Sequence, residues 1–190
     1  MELKVFDNVT EIVRDDMAST ITKGSKLSVA AACFSMYAYK ELKKQLESIE
    51  ECRFIFTSPT FVKEKAEKQK REFYIPRLSR ENSLYGTEFE IKLRNEMTQK
   101  AIAKECADWI RRKVQFKSNT TGENMGGFVT VSGKKERVAY MPINGFTTVD
   151  IGCERGNNSY NMVNRFDAPF SESYIQLFET LWNDKDKLQD

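Results

Sequence analysis

A chain of 190 residues with 40% hydrophobic and 31% charged side chains can bury one sizeable core and is too short for two large domains. Its 30 Lys and Arg residues nearly balance 28 Asp and Glu residues, so the net charge of +2 excludes strong attraction of nucleic acid by overall charge. Any nucleic-acid binding must therefore come from a local patch.

The cysteines and the apolar segments indicate the compartment. The four cysteines lie far apart without a CxxC pair, which favours reduced core thiols over a zinc site or a secreted disulfide framework. The longest apolar run, residues 27–39, is too short to cross a bilayer. The chain opens on Met1–Lys4, whose charged residues predict the first turn of a helix rather than a targeting segment. We therefore expect a cytoplasmic protein that is not bound to a membrane.

A helix is predicted near the start of the chain. Asn8-Val9-Thr10-Glu11 has the pattern of a capping box, and apolar residues recur at helical spacing as far as Ile21. Lys23-Gly24 predicts the end of this helix, because glycine adopts the left-handed conformation of a helix cap without strain.

A strand–helix–strand unit follows. Lys26–Phe34 is nearly uncharged after its first residue, as is typical of a strand covered on both faces, and Glu51–Thr57 predicts a second strand. The helix between them carries Leu42, Leu46 and Ile49 on one side. Such a unit implies a right-handed parallel crossover, and sheets of this kind bind ligands at the carboxyl ends of their strands. A ligand would then lie near residues 34–36 and 57–58.

The middle of the chain predicts solvated and buried helices. Residues 63–72 are almost entirely charged, with alternating signs that favour a solvated helix over a phosphate groove. A long helix is predicted from about Phe89 to Val114, and its buried stripe consists of Ile102, Cys106, Trp109 and Ile110.

The last third predicts antiparallel strands and a final helix. Residues 127–131, 137–141 and 145–149 alternate between apolar and polar side chains and are separated by turn residues, and another strand is predicted at 159–165. Ser171 is the predicted N-cap of the last helix. Its apolar residues recur at helical spacing and are Tyr174, Leu177, Phe178 and Leu181.

Three parts of the chain resemble one known family. The first part resembles the start of the phospholipase-D-like domains found at the N-termini of bacterial helicases. It consists of a buried strand ending in Ala31-Ala32-Cys33-Phe34-Ser35, a helix, and then Arg53-Phe54-Ile55-Phe56. Asn144-Gly145-Phe146-Thr147-Thr148 resembles a drifted form of the family's Gly-Ser-Ser-Asn-Phe-Thr turn. Phe178-Glu179-Thr180-Leu181-Trp182-Asn183-Asp184 is similar to the Phe-x-x-Leu-Trp segment that closes the domain.

The resemblance implies an α/β fold of phospholipase-D-like architecture, a mixed sheet flanked by helices in a single domain. It would span residues 1–184, and residues 185–190 would begin a linker to a downstream helicase motor of the superfamily 2 or SNF2 type. In the family, one histidine attacks a phosphodiester, another protonates the leaving group and a lysine holds the phosphate. This chain has no histidine, so the resemblance implies the scaffold without the nucleophile and the general acid.

The expected function is that of a non-catalytic accessory domain that binds nucleic acid, DNA in particular, or regulates the motor. The chain has no Gly-x-x-x-x-Gly-Lys-Ser/Thr loop. We therefore expect no cofactor here, and ATP and Mg²⁺ only in the downstream motor.

Two groups of residues are candidates for phosphate contacts. The first group combines cations with small hydrogen-bond donors, and both kinds of side chain suit phosphate oxygens. It precedes the flexible Gly122 and consists of Arg111, Arg112, Lys113, Lys117, Ser118, Asn119 and Thr120. The competing interpretation is a capped helix that runs into a solvated loop. The second group, Thr147 and Thr148, is implied by the family turn, whose small polar side chains border the phosphate site; both could equally be ordinary strand threonines.

An amide-rich segment is a further candidate for contacts with bases or backbone. It contains two cations and four amides, namely Arg155, Asn157, Asn158, Asn161, Asn164 and Arg165, although asparagine clusters more often form turns. Tyr160 and Phe166 could stack on bases or pack beneath the last helix.

Two rival functions remain open. A protein-interaction module is one, since single-motif relatives pair to build one active site and a homodimer interface can outlast the chemistry. A Mg²⁺-dependent nuclease is the other, because a Glu-x-Lys strand at Glu88–Lys92 has the pattern of restriction-type nucleases. The nuclease needs a further acidic ligand from an upstream strand, and no aspartate lies between Asp16 and Asp108.

Overall fold

The computed structural model of the protein describes residues 3–57 and 88–190, with side chains of the long helix given from residue 99 onward. Its strands are β1 (Leu3–Phe6), β2 (Lys26–Ala31), β3 (Glu51–Phe56), β4 (Val114–Asn119), β5 (Phe128–Ser132), β6 (Arg137–Met141), β7 (Val163–Asp167) and β8 (Leu188–Gln189). Its helices are α1 (Val13–Thr20), α2 (Met36–Glu41), α3 (Lys43–Ser48), α4 (Glu88–Lys113) and α5 (Phe170–Trp182). The charged segment 63–72, predicted as a solvated helix, lies outside the described residues.

The described strands form one mixed sheet in the order β1-β7-β6-β5-β2-β3-β4-β8. β2, β3 and β4 are parallel to one another, and the remaining pairs are antiparallel. The predicted α/β class, with a mixed sheet flanked by helices in a single domain, is therefore confirmed. The parallel crossover from β2 to β3 and the antiparallel hairpin from β5 to β6 are confirmed as well.

Different helices cover the two faces of the sheet. On one face α1–α4 pack over the larger core, which includes Val29 and Phe54 of the sheet and Trp109 of α4. On the other face α5 packs on Ala30 and Ile55, the chain neighbours of those strand residues. Since successive strand residues point to opposite faces, strands covered on both sides are mostly apolar, as residues 29–31 of β2 and 54–56 of β3 are.

The start of the chain differs from the prediction. Leu3–Phe6 forms the strand β1 rather than the first turn of a helix, because it pairs with β7. α1 begins at Val13 and not at the predicted capping box: the side chain of Asn8 accepts a hydrogen bond from the Val13 N–H over 2.9 Å, and residues 9–11 turn around the Asp7 carboxylate. α1 ends at Thr20 and not at the predicted Lys23-Gly24, although Gly24 does have a left-handed conformation, with φ of +83°.

The end of the described chain also differs. Residues 114–119, expected to lie in a solvated loop, form β4 beside β3. Residues 188–189, expected to belong to a linker, form β8 beside β4, and Leu188 is buried in the smaller core. The first four residues of β4 alternate between apolar and polar side chains, which is a strand pattern, and β4 takes its place in the sheet by pairing with β3, a distant strand.

Two predictions for the last third are wrong. Residues 145–149 form a turn rather than a strand, and among them only Phe146 forms a bridge, with Phe34. Ser171 does not cap α5, which begins at Phe170; its hydroxyl donates to the Arg137 carbonyl instead. In α5 the buried residues include Phe178 and Trp182, whereas Leu177 is 44% exposed.

α5 is held on the sheet by aromatic rings and one cation. The rings of Phe178 and Trp182 stack at 5.9 Å, and the Arg53 guanidinium of β3 lies 5.3 and 5.5 Å from their centroids. Arg53 also forms a bidentate pair with Glu179, and only 15% of its side chain is exposed. Because the cation is largely removed from water, this pair matters more than an ordinary surface pair. None of the described helices has the length and apolar character that crossing a bilayer requires.

Replacing Glu179 by Gln should destabilise the protein by about 1 kcal/mol at pH 7, because Arg53 would lose its charged partner. The effect is modest because 42% of the Glu179 side chain is exposed and solvent screens its charge. The hydrogen bond from Arg53 lowers the pKa of Glu179 below its ordinary value of 4.5. The stabilisation is therefore fully present above pH 4.5 and lost as the pH falls through the lowered pKa. Urea denaturation from pH 7 to pH 3 measures this difference.

The matched control is Glu172→Gln, which removes the partner of the more exposed Arg137, whose side chain is 42% exposed. This change should cost less, at about 0.5 kcal/mol. Equal losses for the two variants at pH 7 would contradict the assignment of Arg53 as the anchor of α5.

Candidate functional site

The carboxyl ends of the parallel strands form the edge at which the sequence predicts a ligand. β2, β3 and β4 end there at Ala31, Phe56 and Asn119. The segment 32–35 continues β2, and the turn 143–148 lies directly beside it. The structure thus brings the two segments that resemble the family to one edge of the sheet.

Backbone hydrogen bonds fix the turn against this edge. The Ala32 N–H donates to the Asn144 carbonyl over 2.8 Å, the Phe146 N–H donates to the Cys33 carbonyl over 2.8 Å, and the Ser35 N–H donates to the Phe146 carbonyl over 2.9 Å. The Phe146 ring stacks on Phe34 at 5.8 Å. The turn is therefore positioned by the main chain and by a buried aromatic pair, independently of its threonine side chains.

Both threonines of the turn are buried and point to carboxylates of the same loop. Thr147 is 6% exposed and its hydroxyl donates to Asp150 over 2.5 Å; Thr148 is 1% exposed and its hydroxyl donates to Glu154 over 3.1 Å. The Asp150 N–H donates back to the Thr147 oxygen over 3.2 Å. Local bonds of this kind compete with strand formation. They leave the predicted phosphate ligands Thr147 and Thr148 turned away from solvent and beside negative charge.

Asn119, another predicted phosphate ligand, is fully buried and fully hydrogen-bonded. Its amide nitrogen donates to the carbonyls of Thr57 and Glu123, and its amide oxygen accepts from the N–H and the hydroxyl of Thr121. All hydrogen-bonding positions of the side-chain amide are therefore used. Asn119 joins the ends of β3 and β4 to the following loop and offers nothing to a ligand.

Two of the predicted cations have structural partners. Lys113 donates to the Ile49 carbonyl, just after α3, over 2.7 Å. Lys117 donates to the Trp182 carbonyl at the end of α5 over 3.1 Å, and its ammonium lies 4.9 Å above the Trp182 ring. Cations are stabilising beside the carbonyls at a helix C-terminus. Lys113 and Lys117 therefore fasten helices to the sheet.

Arg111 and Arg112 remain at the surface. Arg111 pairs with Asp108 one turn earlier in α4, and its side chain is 73% exposed. Arg112 pairs with Glu47 of α3, and its side chain is 54% exposed. Both lie just before β4, at the amino end of the parallel strands, whereas Asn119, Thr147 and Thr148 lie at the carboxyl end. The predicted set is thus divided between two ends of the sheet and does not form one site.

The amide-rich segment is divided as well. Asn161 donates to the Val149 carbonyl over 2.8 Å, which fixes a turn. Arg165 is 9% exposed and binds Asp16 of α1 over 2.8 Å, while Phe166 stacks on Tyr174 of α5 at 5.5 Å. Tyr160, at 77%, is highly exposed. Arg165 and Phe166 therefore take part in the packing around the sheet.

The residues considered for a nuclease have a different structure from the one predicted. Glu88–Lys92 begins the helix α4, so these residues do not form the strand on which a Glu-x-Lys site depends. Within the described part of the chain, no group of three or more acidic or cysteine side chains is arranged to hold a metal ion.

Sequence reasoning named Arg111 but missed Lys100 and Lys104, which lie in one row with it on α4. Lys100, Lys104 and Arg111 are exposed, while Ile102, Cys106 and Trp109 on the opposite side are buried. Their spacing of four and seven residues places the three cations within about 40° of helix rotation. This spacing is visible in the sequence, but it can be interpreted only when the buried side of the helix is known.

A scan against protein-family models finds no match for this chain, and a search of curated proteins finds no similar sequence.

Gly127 allows the backbone at Ile143 to approach the start of β5, at the carboxyl ends of the parallel strands, which we call the carboxyl edge of the sheet. A Cβ at this position would lie 1.8 Å from the Ile143 carbonyl oxygen, whereas a Cβ on the neighbouring Gly126 would have nothing within 4 Å. Gly127→Ala should therefore force the turn 143–148 away from β5 and destabilise the protein by at least about 2 kcal/mol. Gly126→Ala should change stability by less than about 1 kcal/mol.

Chemical denaturation of the two variants measures this difference. The identical change at adjacent positions keeps side-chain volume and unfolded-state entropy nearly constant between the two proteins. If Gly127→Ala were as stable as Gly126→Ala, the close approach of β5 to Ile143 would be wrong.

Proposed function

We propose that the chain is a non-catalytic, phospholipase-D-like accessory domain of a helicase-family protein and that it binds nucleic acid, DNA in particular, through its phosphate backbone. The arrangement of the carboxyl edge supports the loss of chemistry. Its turn threonines donate to Asp150 and Glu154, which leaves negative charge beside the place where a phosphodiester would lie. No histidine is present to act as a nucleophile or an acid.

The observation that carries the binding proposal is the uneven distribution of charge. Residues 36–48 and 100–113, which comprise α2, α3 and the second half of α4, contain eight Lys and Arg and four Asp and Glu residues. The rest of the chain contains 22 basic and 24 acidic residues. The net charge of +2 is therefore the sum of a charge of +4 on these helices and a charge of −2 on the rest of the chain. A local excess of this kind attracts phosphates although the overall charge is small.

The domain should bind a 30-base-pair DNA duplex at low salt, and the logarithm of the association constant should fall linearly with the logarithm of salt concentration, because bound phosphates release counterions. Fluorescence anisotropy from 20 to 200 mM salt measures both quantities, and incubation with plasmid and Mg²⁺ should leave the DNA intact. The absence of binding at 20 mM salt would refute the binding proposal. Cleavage by the purified domain would refute the loss of catalysis.

A homodimer module is the second candidate, and the edge strand β1 favours it. Leu3 and Val5 are 61% and 46% exposed, although both lie on the sheet face that α5 partly covers. A second copy could extend the sheet by pairing with β1, since edge strands are templates for pairing.

If the homodimer is correct, light scattering should give twice the chain mass of 22.0 kDa, and Leu3→Lys with Val5→Lys should restore the mass of the single chain. Leu177→Lys, an equally exposed apolar position on α5, is the control and should leave the mass unchanged. A mass of 22.0 kDa for the unaltered protein at 100 μM would remove this candidate.

A further inference from the structure

The exposed side of α4 has the features of a phosphate-binding surface that is separate from the carboxyl edge. It carries Lys100, Lys104 and Arg111, and we call these three residues the α4 ridge. They extend over eleven residues, which is about 16 Å of helix. Contacts to α2 and α3 hold this part of α4 in place, among them the hydrogen bond from the Trp109 indole to the Leu46 carbonyl over 2.8 Å. The cations are therefore presented by a fixed element.

Among the described side chains, the acidic groups beside the ridge are engaged in weak surface pairs. Asp108 pairs with Arg111, Glu105 with Lys43 of α3, and Glu47 with Arg112. The side chains of these pairs are between 31% and 73% exposed, so each pair contributes little and can exchange with a phosphate. Lys104 forms no ion pair with another described residue.

The surroundings of the ridge favour a duplex over a single strand. Binding of single strands usually depends on exposed aromatic rings on which bases stack. Among residues 99–113 of α4, whose side chains are described, the one aromatic residue is Trp109, which is 1% exposed and packs between Phe34 and Tyr39. A straight row of cations without such a ring suits the evenly spaced phosphates of a duplex backbone, and a phosphate contact carries no base specificity.

We propose that the α4 ridge is the nucleic-acid-binding surface of this domain, and that it binds the backbone of a duplex without sequence specificity. This inference rests on the proposed function, and it moves the contact from the carboxyl edge, where the resemblance would place it, to the outer side of a helix. The carboxyl edge then serves the stability of the fold, and the basic helices serve binding.

The test compares two double variants of equal charge. Lys100→Ala with Lys104→Ala removes two ridge cations from exposed helix positions that suit alanine. Lys134→Ala with Lys135→Ala removes two exposed lysines from the turn between β5 and β6. We expect the ridge variant to bind the 30-base-pair duplex about tenfold more weakly at 100 mM salt, with a salt slope smaller by about 1.8. The control variant should retain the affinity of the unaltered protein within about twofold.

The outcomes separate the two proposals. If the unaltered domain binds no duplex, the proposed function fails and the ridge has no role. If it binds and the two variants lose affinity equally, or the ridge variant loses none, the α4 ridge is refuted while nucleic-acid binding stands. Tighter binding to single strands than to duplex would refute the duplex preference. Equal or stronger binding to phosphatidylserine vesicles, lost in the ridge variant, would reassign the ridge to a membrane surface.

Unchanged denaturation midpoints and circular dichroism spectra of both variants exclude unfolding as the cause of weaker binding. If the ridge variant fails this check, Lys104→Gln alone replaces it. The expected result is then a decrease in salt slope of about 0.9, and an unchanged slope would overturn the inference.

Discussion

The position of Phe34 is the constraint on which the arrangement of this molecule depends. Its ring stacks on Trp109 of α4 at 6.1 Å and on Phe146 of the turn at 5.8 Å. Three parts of the chain separated by 37 residues or more thus meet on one ring at the end of β2. Each such aromatic pair contributes about 0.5–1.5 kcal/mol beyond the burial of its surface. The backbone bonds of the turn and the orientation of α4 follow from this packing.

Because this aromatic packing fills the space at the carboxyl ends of the parallel strands, the polar side chains there form hydrogen bonds within the fold. Thr147 and Thr148 bind carboxylates of their own loop, and the Asn119 amide binds four groups of neighbouring segments. A ligand that needed these side chains would have to break buried hydrogen bonds, each worth about 1 kcal/mol, before it formed its own. Polar side chains whose hydrogen bonds already hold the fold together are therefore poorly suited to bind a charged ligand.

The periodicity of the sequence predicts the elements whose burial repeats regularly. β2, β3, β5, β6 and α4 were predicted from runs of apolar residues or from helical spacing, and the structure has them within a few residues of the predicted bounds. β1 and β8 were missed because two to four residues carry too little periodicity, and their pairing with distant strands determines them. β4 was missed because its short alternating run, Val114–Lys117, directly follows the three cations that end α4 and precedes the polar residues 118–121. The threonines at 147–148 were misread since β-branched residues favour strands, while their hydroxyls favour local bonds.

The candidate site was harder to predict than the fold, because the role of a cation depends on its partner. Arg165 appeared in the sequence as part of a polar surface segment, yet it is buried against Asp16, whose carboxylate also accepts the Tyr140 hydroxyl. Lys113 and Lys117 bind carbonyls that lie 64 and 65 residues away. The roles of these three cations in the fold are therefore set by partners that are distant in the sequence.

Cations on the outer side of α4 act differently, because their side chains remain in solvent and their acidic neighbours hold them weakly. The pair between Arg112 and Glu47 contributes about 0–1 kcal/mol, so a phosphate that brings more negative charge competes with Glu47 at little cost. Buried pairs such as that between Arg165 and Asp16 cannot exchange in this way, because a separated charge would remain unpaired in the interior. The surface available to a polyanion therefore needs exposed ion pairs together with an excess of positive charge, and α3 and α4 have both.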